Sequence, residues 1–175
     1  MWEYGPAQEE DDGEVMQMFG DSELAGCLRG RRSTSGGVAS IARVAVKSWS
    51  STQATVDLSS GEAELYAAVK LGCELMGIKS LAIDFGITVD LHMYIDAKAT
   101  IGMLSRRGAG GMKHVETNNF WLQNVVASKI VNLYKVPTDD NLADILTKYL
   151  SAEKMQHLLN LMHITRVCKA EHHRQ

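Results

Sequence analysis

The chain is short of cysteine and proline, and it has no long apolar run. Each shortage excludes something. Its three cysteines, Cys27, Cys73 and Cys168, are scattered over 175 residues with no Cys-x-x-Cys pair. Neither a zinc site nor a disulfide framework is suggested, and a reducing, intracellular compartment fits. Two prolines and 15 glycines exclude collagen-like and proline-rich low complexity. No stretch approaches the ~18 apolar residues of a membrane span, so no membrane partner is expected. No Lys or Arg precedes Arg29, whereas a secretory signal opens on basic residues. No internal repeat recurs at a period of ~20–50 residues.

What is present describes one globular domain. Hydrophobic residues make up 45% and charged residues 22%, an ordinary balance, and a chain of this length buries ~70% of its unfolded surface. The net charge of -3 hides an asymmetry. Eight of the 21 acids and none of the 18 Lys and Arg fall in residues 1–28, leaving 13 acids against 18 bases in the rest. Residues 1–14 read as an acidic, disordered leader, 15–162 as the folded body, and 163–175 as a polar tail. The mildly basic body permits a polyanionic partner.

Periodicity then orders the elements. Glu14–Gly20 reads as a strand ending at Asp21, Arg29–Gly37 as a polar turn, and Val38–Ala42 with Val44–Trp49 as a hairpin. Ser59, followed by Glu62, starts a long helix that Gly86 stops. On that helix Glu64, Ala67, Ala68, Leu71, Leu75, Ile78 and Ala82 share one face, and Glu62 points the other way. Ile87–Ile95 reads as a half-buried strand ending at Asp96. Helices are expected over 97–104, 115–128, 139–149 and 151–162, and a strand over 130–136. Three strands in succession, then strands separated by helices, imply a mixed sheet.

Acids stand where elements change. Asp21 and Asp96 follow strands, Glu64 heads an apolar helical stripe, and Asp144 lies in the helix after the fifth strand. Strand ends and helix starts in such sheets are where ligands collect. Converging carboxylates repel unless a cation lies between them, and an oxygen-only donor set favours Mg2+ or Mn2+ over zinc. Two such ions can activate water for phosphodiester cleavage. Periodicity does not choose Asp144 over its neighbours Asp139 and Asp140.

Six stretches occur in order: DSELAG (21–26), RRSTSG (31–36), KSWSS (47–51), QATVDLSSGEAELYAAVKL (53–71), YIDA (94–97) and VPTDDNLADILTK (136–148). Together they closely resemble the ribonuclease H domain of the Copia/Ty1-type retrotransposon Pol polyprotein, over residues 15–162. The resemblance implies an α/β ribonuclease H-like fold, a five-stranded mixed sheet flanked by helices. It implies hydrolysis of the RNA strand of RNA–DNA hybrids with two Mg2+ ions, Mn2+ being a substitute. The family's catalytic, metal-binding carboxylates fall on Asp21, Glu64, Asp96 and Asp144. Glu23 and Leu24 replace a second Asp and a Trp of the family pattern, and no His lies between Val136 and Asp144. No reverse transcriptase portion is present, so the chain reads as a fragment of a Pol protein, whose polymerase domain would be its partner, or as a relic. The alternative is a catalytically inactive module of the same fold that binds nucleic acid or a partner protein. An integrase-like nuclease is a third reading.

Arg29, Arg31, Arg32, Arg106, Arg107 and Lys113 sit in Gly-rich turns, where they serve phosphate contact or simple solubility. Ser33 offers a hydroxyl beside two of them. In ribonucleases H, an Asn placed like Asn141 contacts the hybrid's sugar backbone; its plainer role is a polar residue at a helix start. Trp49 and Trp121 read as core residues rather than base-stacking platforms.

Overall fold

A computed structural model describes residues 2–4, 15–27, 29–108 and 120–166. Strand β1 (Trp2–Tyr4) is followed by β2 (Val15–Glu23), β3 (Thr34–Ile41), β4 (Val44–Thr52), helix α1 (Ser60–Asp84), β5 (Asp90–Ile95), α2 (Lys98–Leu104), α3 (Trp121–Ala127) and β6 (Asn132–Lys135). A 3-10 turn (Thr138–Asp140), α4 (Asp144–Thr147), α5 (Ala152–Leu161) and β7 (Ile164–Arg166) complete the order. Five strands form one sheet in the order β4-β3-β2-β5-β6. The first three pair antiparallel, and β2, β5 and β6 run parallel. This is the expected mixed sheet flanked by helices.

The alternation along β2 sends Met16 and Met18 into the core. There they meet Leu65, Ala68, Leu71 and Leu75 of α1. Gly20 continues that row because the Leu71 side chain occupies the space of a Cβ, 2.7 Å from its ideal position. The other face of the sheet carries a smaller cluster, in which Val38 packs with Leu142, Leu158 and Met162 beneath α5. The β3–β4 turn has positive φ at both Ala42 and Arg43, the twist a two-residue hairpin needs.

Helix α1 starts as the sequence indicates. The Ser59 hydroxyl accepts from the Glu62 amide, and Gly86 follows the helix at φ +73. Glu62 differs from expectation. It does not face solvent but is buried, and its carboxylate accepts from the Leu58 amide at 2.9 Å. It thus reaches back over the helix start and serves an amide that would otherwise lack a partner.

Three further expectations are corrected. Gly36 and Gly37 lie within β3, not in a turn: a Cβ on Gly37 would collide with the indole of Trp49, and one on Gly36 with Thr147 and Leu146. These glycines admit close neighbours rather than a bend. The helix expected over 139–149 is broken into the 3-10 turn and α4, because the Asn141 side chain bonds to the Gly20 carbonyl and receives the Ala143 amide. Parts of the expected leader and tail also pair with each other, as β1 and β7 in an antiparallel ribbon. Main-chain hydrogen bonds between the two ends make that ribbon, which composition alone does not signal. Residues 115–119 of the expected third helix lie outside the described residues.

Candidate functional site

The site is built at the ends of adjacent parallel strands. Gly20 of β2 pairs with Ile95 of β5, so the next residue on each strand is an acid, Asp21 and Asp96. Neighbouring strands lie ~4.8 Å apart. Glu64, one turn into α1, comes over the same strand ends. Carboxylate oxygens of Asp21, Glu64 and Asp96 all lie within 4.8 Å of one another. Asp21 stays in the sheet, because β2 continues against β3 as far as Glu23.

Three carboxylates this close disturb one another. Burial, and then the charges of Asp21 and Asp96, push the Glu64 carboxyl up to about 8; a Ser22 hydrogen bond and Lys148 pull the other way. Burial also raises Asp21, against the opposing contributions of Thr147 and Lys148. The cluster holds more negative charge than its surroundings compensate, and its donors are all oxygen. Both properties fit Mg2+ or Mn2+.

The fourth predicted acid is near but separate. Asp144 is buried at the start of α4, with 1% of its side chain exposed. Lys148, one turn further on, donates from Nζ to Asp144 Oδ1 at 2.9 Å and to Asp21 Oδ1 at 3.0 Å. Lys154 of α5 takes the other oxygen, Asp144 Oδ2, at 2.7 Å, and also reaches the Thr138 carbonyl at 3.3 Å. Thr147 donates to Asp21 Oδ2. Burial alone would lower the Lys148 ammonium, but the hydrogen bonds and charges of Asp144 and Asp21 outweigh it and hold the group above its usual range. Asp21 thus joins the carboxylate cluster to a lysine-bridged pair.

Sequence reasoning missed Thr147, Lys148 and Lys154. The one available signal was spacing, since Lys148 stands four residues after Asp144 on the same helical turn. Such pairs usually lie on a solvated surface, whereas here the acid is buried.

The predicted nucleic-acid contacts divide. Arg29, Arg31, Arg32, Arg106 and Arg107 are exposed. Lys113 lies outside the described residues. Ser33 and Asn141 are corrected: both have no exposed surface. The Ser33 hydroxyl accepts from the Ala25 amide at 3.3 Å, and the Asn141 amide is committed to Gly20 at 3.0 Å. Neither reaches a ligand in the solvent. Trp49 and Trp121 pack against the main core. Cys27 and Cys73 are free thiols. Among the described residues, no helix is long and apolar enough to cross a membrane.

No family model matches the chain. The retrovirus-related Pol polyprotein from transposon TNT 1-94 of Nicotiana tabacum is 27% identical over 145 residues, which cover 81% of this chain and 11% of the relative. The corresponding polyprotein from transposon RE1 of Arabidopsis thaliana is 31% identical over 156 residues, covering 87% and 11%. The chain therefore spans about a tenth of the length of these relatives. Among solved structures, the LC11 ribonuclease H1 isolated from compost superposes with a TM-score of 0.53 at 15% identity, over 83% of this chain and 99% of that one. That likeness is one of fold.

Proposed function

The chain is homologous to a segment of retrotransposon Pol polyproteins and has the ribonuclease H fold, and from this premise we propose that it hydrolyses the RNA strand of RNA–DNA hybrids. The observation that carries the reading is the cluster of Asp21, Glu64 and Asp96 at the ends of the central strands, with oxygens within 4.8 Å. These three side chains would hold a divalent ion. A bound ion supplies Lewis-acid polarisation of the phosphodiester and lowers the pKa of an attacking water.

The chain's own groups prepare that site. The Glu64 carboxyl, pushed up to about 8 by burial and by the charges of Asp21 and Asp96, would be drawn back down by a cation bound among the three. Thr147 and Lys148 orient Asp21 from the α4 side. Exposed Arg31, Arg32, Arg106 and Arg107 supply phosphate contacts, the main source of affinity for a polynucleotide. A polymerase segment of the same polyprotein would present the hybrid.

Cleavage of an end-labelled RNA–DNA hybrid, with Mg2+, with Mn2+ and with chelator, tests the reading. Metal-dependent loss of the RNA strand with duplex DNA untouched is the expected result. Intact RNA in the presence of folded, metal-binding protein would leave the inactive binding module as the better account.

A further inference from the structure

The resemblance implies two ions, but the side chains that would flank a second one are already occupied. We propose that the Lys148 ammonium fills the place of the second cation, so that the site takes one divalent ion and not two. This rests on the ribonuclease reading and deepens it.

Position is the first argument. Of the four carboxylates the resemblance assigns, Asp144 alone stands outside the three-carboxylate cluster. The place open to a second ion is therefore between it and Asp21, the cluster member that shares Lys148 with it. Lys148 Nζ stands between those two groups, 3.0 Å from Asp21 Oδ1 and 2.9 Å from Asp144 Oδ1. An ammonium is a compact point charge with three donors, suited to a place between two carboxylates. The remaining oxygens are also engaged: Asp21 Oδ2 by Thr147 and Asp144 Oδ2 by Lys154. Both acids have 1% of their side chains exposed, so they depend on these partners for their hydrogen bonds.

Charge balance is the second argument. Asp21, Glu64, Asp96 and Asp144 carry four negative charges when ionised, and Lys148 and Lys154 return two positive ones. Asp139, also near Lys154, is 92% exposed and solvated. One divalent ion neutralises what remains. A second would leave two uncompensated positive charges among buried groups, which is costly. Expelling Lys148 would reduce that excess only by breaking two charge-assisted hydrogen bonds. Lys148 directly follows α4, four residues after Asp144, where the chain has turned extended, and a third of its side chain is exposed.

The test counts ions. Mn2+ titration of the whole chain, followed by calorimetry and by electron paramagnetic resonance, should give one ion per chain and no spin-coupled pair. Lys148→Met should admit a second ion and show the coupled-pair signal, because the two carboxylates are then free to bind one. Lys148→Arg keeps the charge and should stay at one ion. Two ions in the unaltered chain overturn the proposal without needing any variant to fold. One ion in a folded Lys148→Met chain overturns it as well. Absence of any Mn2+ binding to the unaltered chain would instead overturn the ribonuclease reading itself, and this proposal with it.

Discussion

The side-chain amide of Asn141 donates to the main-chain carbonyl of Gly20 at 3.0 Å, across 121 positions of sequence. The bond ties the segment before α4 to the strand residue preceding Asp21. Both Asn141 and Gly20 are buried, so water does not compete for the bond. Asn141→Ala removes a buried hydrogen bond to the Gly20 carbonyl, which costs about 0.5–1.5 kcal/mol. Urea denaturation of the two proteins measures that loss. Mn2+ affinity should fall along with stability, since Asp21 and α4 lose their common anchor. An unchanged denaturation midpoint would mean that the bond is idle.

Asp96 has a different dependence. It closes the carboxylate cluster from the end of β5 and is only half-buried. Asp96→Asn preserves shape and removes a charge that repels Glu64. The fold should therefore persist, with equal or higher thermal stability in chelator. Cleavage should drop by at least ~100-fold, the upper range for losing a group that merely supports a metal ligand. Hybrid cleavage at the unaltered rate would remove the metal-dependent mechanism.

How far the sequence foretold this site depends on the range of the interactions concerned. Helix α1 was legible because its cap, its apolar stripe and its terminating glycine are all local. Asp21, Glu64 and Asp96 were marked by their places at element ends, and the resemblance singled out Asp144. The roles of Asn141 and Lys148 were not legible. Each is decided by a partner more than 120 residues away, and each has an ordinary local meaning, a polar helix start and a surface ion pair. Gly36 and Gly37 were misread for a similar reason. Glycine pairs usually mark turns, and only the approach of Trp49 and α4 shows why they sit inside a strand.

The raised Glu64 carboxyl predicts an unusual pH dependence for the metal-free protein. Its ordinary value is 4.5, and in the folded chain it rises to about 8, chiefly through burial and the charges of Asp21 and Asp96. Between those values the folded state holds a proton that the unfolded chain has released. The stability from this group is complete below about 4.5 and is lost as pH rises toward about 8. Thermal melts in chelator should show the midpoint falling across that window. Glu64→Gln should flatten the slope, and saturating Mg2+ should also reduce it, because the ion takes over from the proton. A midpoint that rises with pH in chelator, and does so equally in Glu64→Gln, would contradict the arrangement.

The exposed arginines allow a choice between phosphate contact and mere solubility. Arg31 and Arg32 precede β3, and Arg106 and Arg107 follow α2. If both pairs touch the backbone of the hybrid, replacing either pair with alanine weakens binding at every sequence alike. The plot of log affinity against log salt should then flatten by about 1 for each phosphate that is no longer neutralised. Ser33→Ala should leave that slope as it was, since its hydroxyl is buried against the Ala25 amide. Binding measured by fluorescence anisotropy in Ca2+, over a range of KCl, separates the cases. A flattened slope for only one pair would show which end of the site the hybrid crosses. An unaltered slope for both pairs would assign these arginines to solubility and require the hybrid to approach the carboxylates over another surface.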